Sequence, residues 1–280
     1  MKVGIGLPNA VPGTSGEDIE EFARRAEAQG FHSLGTIDRV LYPNWEPLIA
    51  LAAAAVVTER IELKTTVMLG PLRLNAVQTA KQALSVNELS NGRLTLGIGL
   101  GARGDDFEAS GVEYKDTGEK LEAMLDYLEK TFADERIGPR TSGVPKILIG
   151  GHADASFERA ARYGHGWIAG GAPPDQYAQM AEQARTAWSE AGNEGRPHLA
   201  GLAYFALGES AEQDATDYLT DYYAFLGEET ANMIAGSAAT DPDTVKGYLA
   251  AFEQAGCDEL IMFPCSSDPA QADLLGEAVK

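Results

Sequence analysis

Residues 60–111 read RIELKTTVMLGPLRLNAVQTAKQALSVNELSNGRLTLGIGLGARGDDFEASG, and their order decides the fold. Residues 61–68 are β-branched and apolar, the pattern of a strand buried on both faces. Leu69-Gly70-Pro71 stops that run, and residues 76–89 then repeat apolar side chains at helical spacing. Asn91-Gly92 turns the chain into a second apolar strand at 94–98, and the glycines that follow open a loop needing backbone freedom. This is strand, loop, helix, strand, loop, and both loops lie at the carboxyl end of a strand, where α/β proteins place their chemistry.

The same unit recurs outward in both directions. Strands are predicted at 3–7, 33–37, 61–68, 94–98, 146–149, 166–169, 199–207 and 259–263. Helices are predicted between them at 17–29, 47–57, 76–89, 115–132, 153–163, 174–191, 211–226, 241–255 and 269–279. Gly30 and Gly256 each end a helix. Asp241-Pro242 supplies a capping side chain and a first-turn proline, and Asp154 reads as another cap. Eight such units in 280 residues predict a (β/α)8 TIM barrel, which needs about 250, filling the chain as one domain with insertions after strands. The insertions fall at 105–143 and 211–237; the second carries Tyr218, Tyr222, Tyr223 and Phe225, a substrate lid or a packing interface.

Forty-two acidic residues against 22 basic ones leave a formal net charge of −20. Nucleic acid and anionic membrane surfaces would repel such a chain and are not expected partners. No apolar run is long enough to span a bilayer, and the opening residues read as a first strand, so a cytoplasmic location is expected. Cys257 and Cys265 are not placed as a disulfide framework or a metal site, and no metal is expected.

Several strand ends carry candidate chemistry. Ile149-Gly150-Gly151-His152 follows a strand and opens a helix, a place suited to a phosphate. Gly170 lies in a second glycine-rich strand end, and His152 is the one histidine of four placed for proton transfer. Asp38 and Arg39 end the second strand, either as an ion pair or as groups orienting a cofactor ring. Trp45 offers a wall for a planar ligand or plain packing. Thr65, Thr66 and Val67 could meet a ring edge, Gly101 and Arg103 follow the fourth strand, and Tyr204 lies on the seventh. Arg103 is a candidate anion anchor, with Asp105 or Asp106 capping the helix beyond. The G-x-G-x-x-G match at 99–104 lacks the acidic strand end of a dinucleotide fold.

These phrases in this order, with EFARRAEAQGF at 21–31, PKILIGG at 145–151 and ARYGHGWIAGG at 161–171, resemble the luciferase-like monooxygenase family along nearly the whole chain. The resemblance implies the barrel and reduced FMN as cofactor, with the deazaflavin coenzyme F-420 as the alternative. It implies oxidation of a small organic substrate with O2, or hydride transfer in the deazaflavin branch. It also implies a phosphate site at Gly150 and Gly151, a cis peptide at Thr65-Thr66 beside Val67, a homodimer, and a separate flavin reductase as partner. Many relatives carry histidine where this chain has Asp38-Arg39, and the long insertion of the sulfonate-cleaving relatives is missing. A flavin-binding protein without catalysis and a sugar-phosphate barrel enzyme are the competing classes.

Overall fold

The structure, a computed structural model, describes residues 1–280. Its first half runs β1 (Lys2–Gly6), α1 (Gly16–Gln29), β2 (Ser33–Thr36), α2 (Pro47–Val57), β3 (Glu62–Leu69), α3 (Ala76–Leu89), β4 (Leu94–Gly99), α4 (Gly104–Ala109) and α5 (Thr117–Ala133). The second half runs β5 (Lys146–Gly150), α6 (Asp154–Tyr163), β6 (Gly166–Ile168), α7 (Pro174–Glu190), β7 (His198–Phe205), α8 (Ala211–Tyr222), α9 (Glu228–Ala235), α10 (Pro242–Gln254), β8 (Glu259–Pro264) and α11 (Ala270–Ala278). The strands pair in parallel in chain order, and β8 closes on β1 with Lys2 opposite Glu259. The fold is a (β/α)8 barrel, as the alternation predicts.

Local chemistry sets the boundaries. Ser15 and Asp18 form a reciprocal capping box at the start of α1, and Gly30 ends that helix at φ +84°. Asp241 accepts from the amides of Asp243 and Thr244 ahead of α10. Two expectations need correction. Asp154 does not cap α6; it is the first helical residue, behind Ala153, and no side chain caps that end. The helix expected over 211–226 stops at Tyr222, passes through a 3-10 turn at Ala224–Leu226, and restarts as α9 after Gly227 at φ +88°.

Apolar packing divides into two shells. Outward strand residues such as Leu34, Leu63, Leu96 and Met262 meet helix residues such as Phe22, Leu51 and Ala83 in the larger cluster. Inside the barrel, Ile37, Leu148, Ile168, Leu202, Tyr204 and Phe263 gather with Val67. Glycines make room for the bulky ones: a Cβ at Gly6 or Gly35 would strike the Phe263 ring, and one at Gly99 or Gly150 would strike Val67. The amino-terminal end of the interior is ionic instead. Lys64 and Glu259 pair there, both buried, and Glu259 also accepts from Ser33 and lies 3.1 Å from His198 Nε2. Burial alone would raise the Glu259 carboxyl, but the His198 hydrogen bond and the Lys64 ammonium outweigh it and hold it down to about 2.

Candidate active site at the carboxyl ends of the strands

The ends of β5 and β6 form a cradle of bare backbone. Gly151 has φ +146°, and a Cβ there would lie 2.8 Å from Ser156. Trp167 Nε1 donates to the Gly151 carbonyl at 2.7 Å, which fixes the loop from below. The exposed His152 lies beside the second glycine loop: its Nε2 would lie 3.6 Å from a Cβ on Gly170, while Gly171 faces open space. With no side chain on the α6 amides, this end suits an anion from the helix N-terminus, partly offset by the carboxylate of Asp154 in the first turn. The residues present therefore fit a phosphate group.

The end of β3 differs from expectation in which residue faces the interior. Thr65 is fully buried and donates to the Gly97 carbonyl at 2.7 Å; Thr66 donates to the Thr36 carbonyl at 3.1 Å. Both hydroxyls are consumed by neighbouring strands, so Val67 alone presents its side chain, over Gly99 and Gly150. The register breaks here, with three steps from Thr65 to Met68 against two from Leu96 to Ile98. The cis peptide is Thr66–Val67, one bond later than the resemblance implied.

Asp38 and Arg39 are not paired with each other. Asp38 accepts from the Leu69 amide at 2.9 Å and from Arg73 at 2.8 Å. Burial pushes its carboxyl up, against the pull of Arg73. Arg39 pairs with Asp105 at 3.0 Å and with the buried Asp106 at 2.9 Å. Asp106 also accepts from the amides of Val40 and Leu41, so the two aspartates tie down the loop after β2 in place of capping a later helix. Both partners leave Asp38 and Arg39 as groups that shape the mouth, without a free acid or base. Trp45 is fixed by its indole, which donates to the Thr14 carbonyl at 2.8 Å, and its ring stays exposed.

Over this mouth lies an aromatic cover from the end of α8. Arg103 donates to the Tyr222 carbonyl at 2.7 Å and its guanidinium sits 4.2 Å from the Tyr222 ring and 3.9 Å from that of Phe225. As placed, Arg103 clamps the cover. Gly101, at φ +79°, makes the turn that delivers it; a Cβ there would lie 2.9 Å from Leu69. Tyr204 and Tyr223 share a hydroxyl–hydroxyl hydrogen bond at 2.9 Å beneath the cover, and burial raises both phenols, keeping them neutral. Tyr42 packs edge-on against Tyr222, 5.3 Å between centroids, and donates to Asp221 at 2.6 Å.

Three further residues shape the site with no sequence motif to mark them. Asn9 donates to the Ile37 carbonyl and accepts from the Ile37 amide, locking the ends of β1 and β2 together. Arg73 partners Asp38, and Phe263 fills the interior beside Tyr204, their rings 6.4 Å apart. The available signal was weak: a lone polar residue after a strand and a charge between two apolar runs.

Known proteins share this architecture. A monooxygenase, RslO1 from Streptomyces bottropensis, superposes with a TM-score of 0.80 at 23% identity, over 100% of this chain and 98% of that one. An F420-dependent secondary alcohol dehydrogenase superposes with a TM-score of 0.83 at 17% identity, over 100% of both chains. In sequence, the chain is 26% identical to a 5,10-methylenetetrahydromethanopterin reductase of Methanolobus tindarius, over 80% of this chain and 72% of the relative. It is 30% identical to an uncharacterized protein of Mycobacterium tuberculosis, over 61% of this chain and 71% of that one. The model of the luciferase-like monooxygenases matches residues 1–262, and the chain belongs to that family.

Proposed function

We propose that the chain is an oxidoreductase that binds a flavin-type cofactor across the ends of β3 to β6 and acts on a small organic substrate beneath the aromatic cover. The observation that supports this most is the adjacent pair of glycine loops, with the uncapped start of α6 behind them and Val67 as the one side chain over Gly99 and Gly150. Gly150, Gly151 and the α6 amides would hold the phosphate, with Gly170 closing the rim. Val67 would support the ring from beneath. When bound, reduced FMN with O2 supplies an oxygen atom to the substrate, the form we favour, and a separate reductase would deliver it reduced.

The chain's own residues would bind, orient and keep out water. The Tyr222–Arg103–Phe225 stack seals the top of the mouth. The neutral Tyr204–Tyr223 pair, one proton of which joins the two hydroxyls, would donate the other to a substrate oxygen, and His152 at the rim would exchange a proton with solvent. A second reading, hydride transfer with the deazaflavin coenzyme F-420, is supported by the sequence likeness to the methanopterin reductase. Anaerobic titration with reduced FMN and with the reduced deazaflavin, followed by fluorescence, tests both. Saturable binding of one assigns the branch; binding of neither, in folded protein, overturns the proposal.

A further inference from the structure

The opposite end of the barrel is built unlike the rest of this acidic chain. A cleft of about 840 Å³ opens among the amino-terminal ends of the strands. Five lysine and arginine side chains line it against three carboxylates, although acids outnumber bases by 42 to 22 over the whole chain. Three of the four histidines also stand in its wall. A local excess of positive charge in a chain of net charge −20 is a field that attracts anions.

The carboxylates of the cleft are already committed. Glu62 pairs with Lys64 at 3.0 Å, Glu253 with the terminal amine at 2.6 Å, and Asp258 with Arg196 at 2.9 Å. Behind them, Glu259 takes the other side of Lys64. Lys2 and Lys146 are left without any carboxylate. Lys2 begins β1 and shares the inward face of Gly4 and Gly6, whose added Cβ atoms would meet Ser33 and Phe263 inside the barrel. Lys146 begins β5 and shares the inward face of Leu148 and Gly150. In a closed ring of eight strands, β1 and β5 are opposite, so the two ammonium groups address one space from both sides.

Their nearest neighbours are imidazoles, with Glu62, already paired to Lys64, the carboxylate beyond His32 at 3.5 Å. Lys2 lies 3.0 Å from the ring nitrogen Nε2 of His32, an ammonium donating to an imidazole. Lys146 stands beside His165, and that imidazole is pushed down by burial and by the Lys146 charge. The two ammonium groups, on opposite sides of one polar opening, both favour an anion between them.

We propose that this cleft binds a small phosphorylated anion, held from opposite sides by Lys2 and Lys146 above a floor of Lys64 and Thr95. The site is separate from the cofactor cradle, which lies at the other end of the strands, and it does not depend on the function proposed above. The test is isothermal titration of the intact chain with inorganic pyrophosphate at low ionic strength. The wild-type chain is expected to bind saturably, and Lys2→Gln with Lys146→Gln to weaken binding at least about ten-fold. Both lysines are exposed, so the double variant should keep the wild-type circular dichroism and melting temperature; the single variants carry the test otherwise. Absence of heat up to about 10 mM pyrophosphate would overturn the proposal. So would undiminished affinity in the folded double variant, which would place the anion at the α6 cradle instead.

Discussion

Gly150 shows how one absent Cβ sets both the packing and the chemistry of the mouth. A Cβ there would lie 2.7 Å from Val67 Cγ1, so Gly150→Ala should cost about 1–3 kcal/mol through overpacking. Val67→Ala in the same chain should recover most of that loss in thermal denaturation, because the clash has a single main partner. Recovery of stability without recovery of cofactor affinity would separate the packing role from the cradle. At the other end, Glu259 carries a pH dependence. Its carboxyl drops from 4.5 to about 2 on folding, so its stabilisation is complete above about pH 4.5 and fades as pH falls toward 2. The shift corresponds to at most about 3 kcal/mol. Glu259→Gln should flatten the acid limb of a pH-stability curve and cost about 1–3 kcal/mol at neutral pH, since Lys64 loses its closest partner but keeps Glu62 at 3.0 Å. An acid limb unchanged in that variant would assign the dependence to other carboxylates. Gly150, Gly151 and His152 were legible as a site because they sit between a strand and a helix in sequence. Lys64 and Glu259 were not, because 195 residues separate them and nothing along the chain shows that the two strands bring them together.

At the level of elements, the end of α8 carries the lesson. Tyr218, Tyr222 and Phe225 recur at helical spacing, which is why residues 211–226 read as one helix. The structure ends the helix at Tyr222, whose carbonyl accepts from Arg103, and Gly227 then reverses the backbone. Tyr218 and Tyr222 are buried against their own barrel, which makes the segment a cover over the mouth. Arg103 holds it with one hydrogen bond and two stacked rings. Arg103→Ala should therefore speed amide exchange across 218–226 selectively and destabilise the chain by about 1–2 kcal/mol. Arg103→Lys should restore little, since an ammonium cannot lie flat between two rings. Exchange unchanged in both variants would show that the aromatic contacts alone keep the cover shut. The helix α9 is unmarked in the sequence for a related reason: eight residues between a glycine and a short loop give too little periodicity to stand out.

For the molecule as a whole, the barrel was legible because every strand–helix unit repeats the same signal, and closure follows from β8 pairing with β1. The two-part interior was not, since its apolar and ionic ends mix residues from all eight strands. One surface feature bears on assembly. The helix α2 is apolar on every side, and Ile49 and Val56 are 58% and 65% exposed. A helix of that kind is normally covered. We expect a second copy of the chain to cover it, giving a dimer by light scattering that Ile49→Lys with Val56→Lys converts to monomer; a monomeric wild-type chain would rule this out. The Phe263 ring links three strands in another way. It occupies the space that side chains at Gly6 and Gly35 would need, so these positions are not free to change one at a time. Any descendant of this fold that gains a side chain at 6 or 35 must first lose the ring at 263. The three residues form a single heritable unit spread over β1, β2 and β8, and their substitutions across relatives should be correlated in that order.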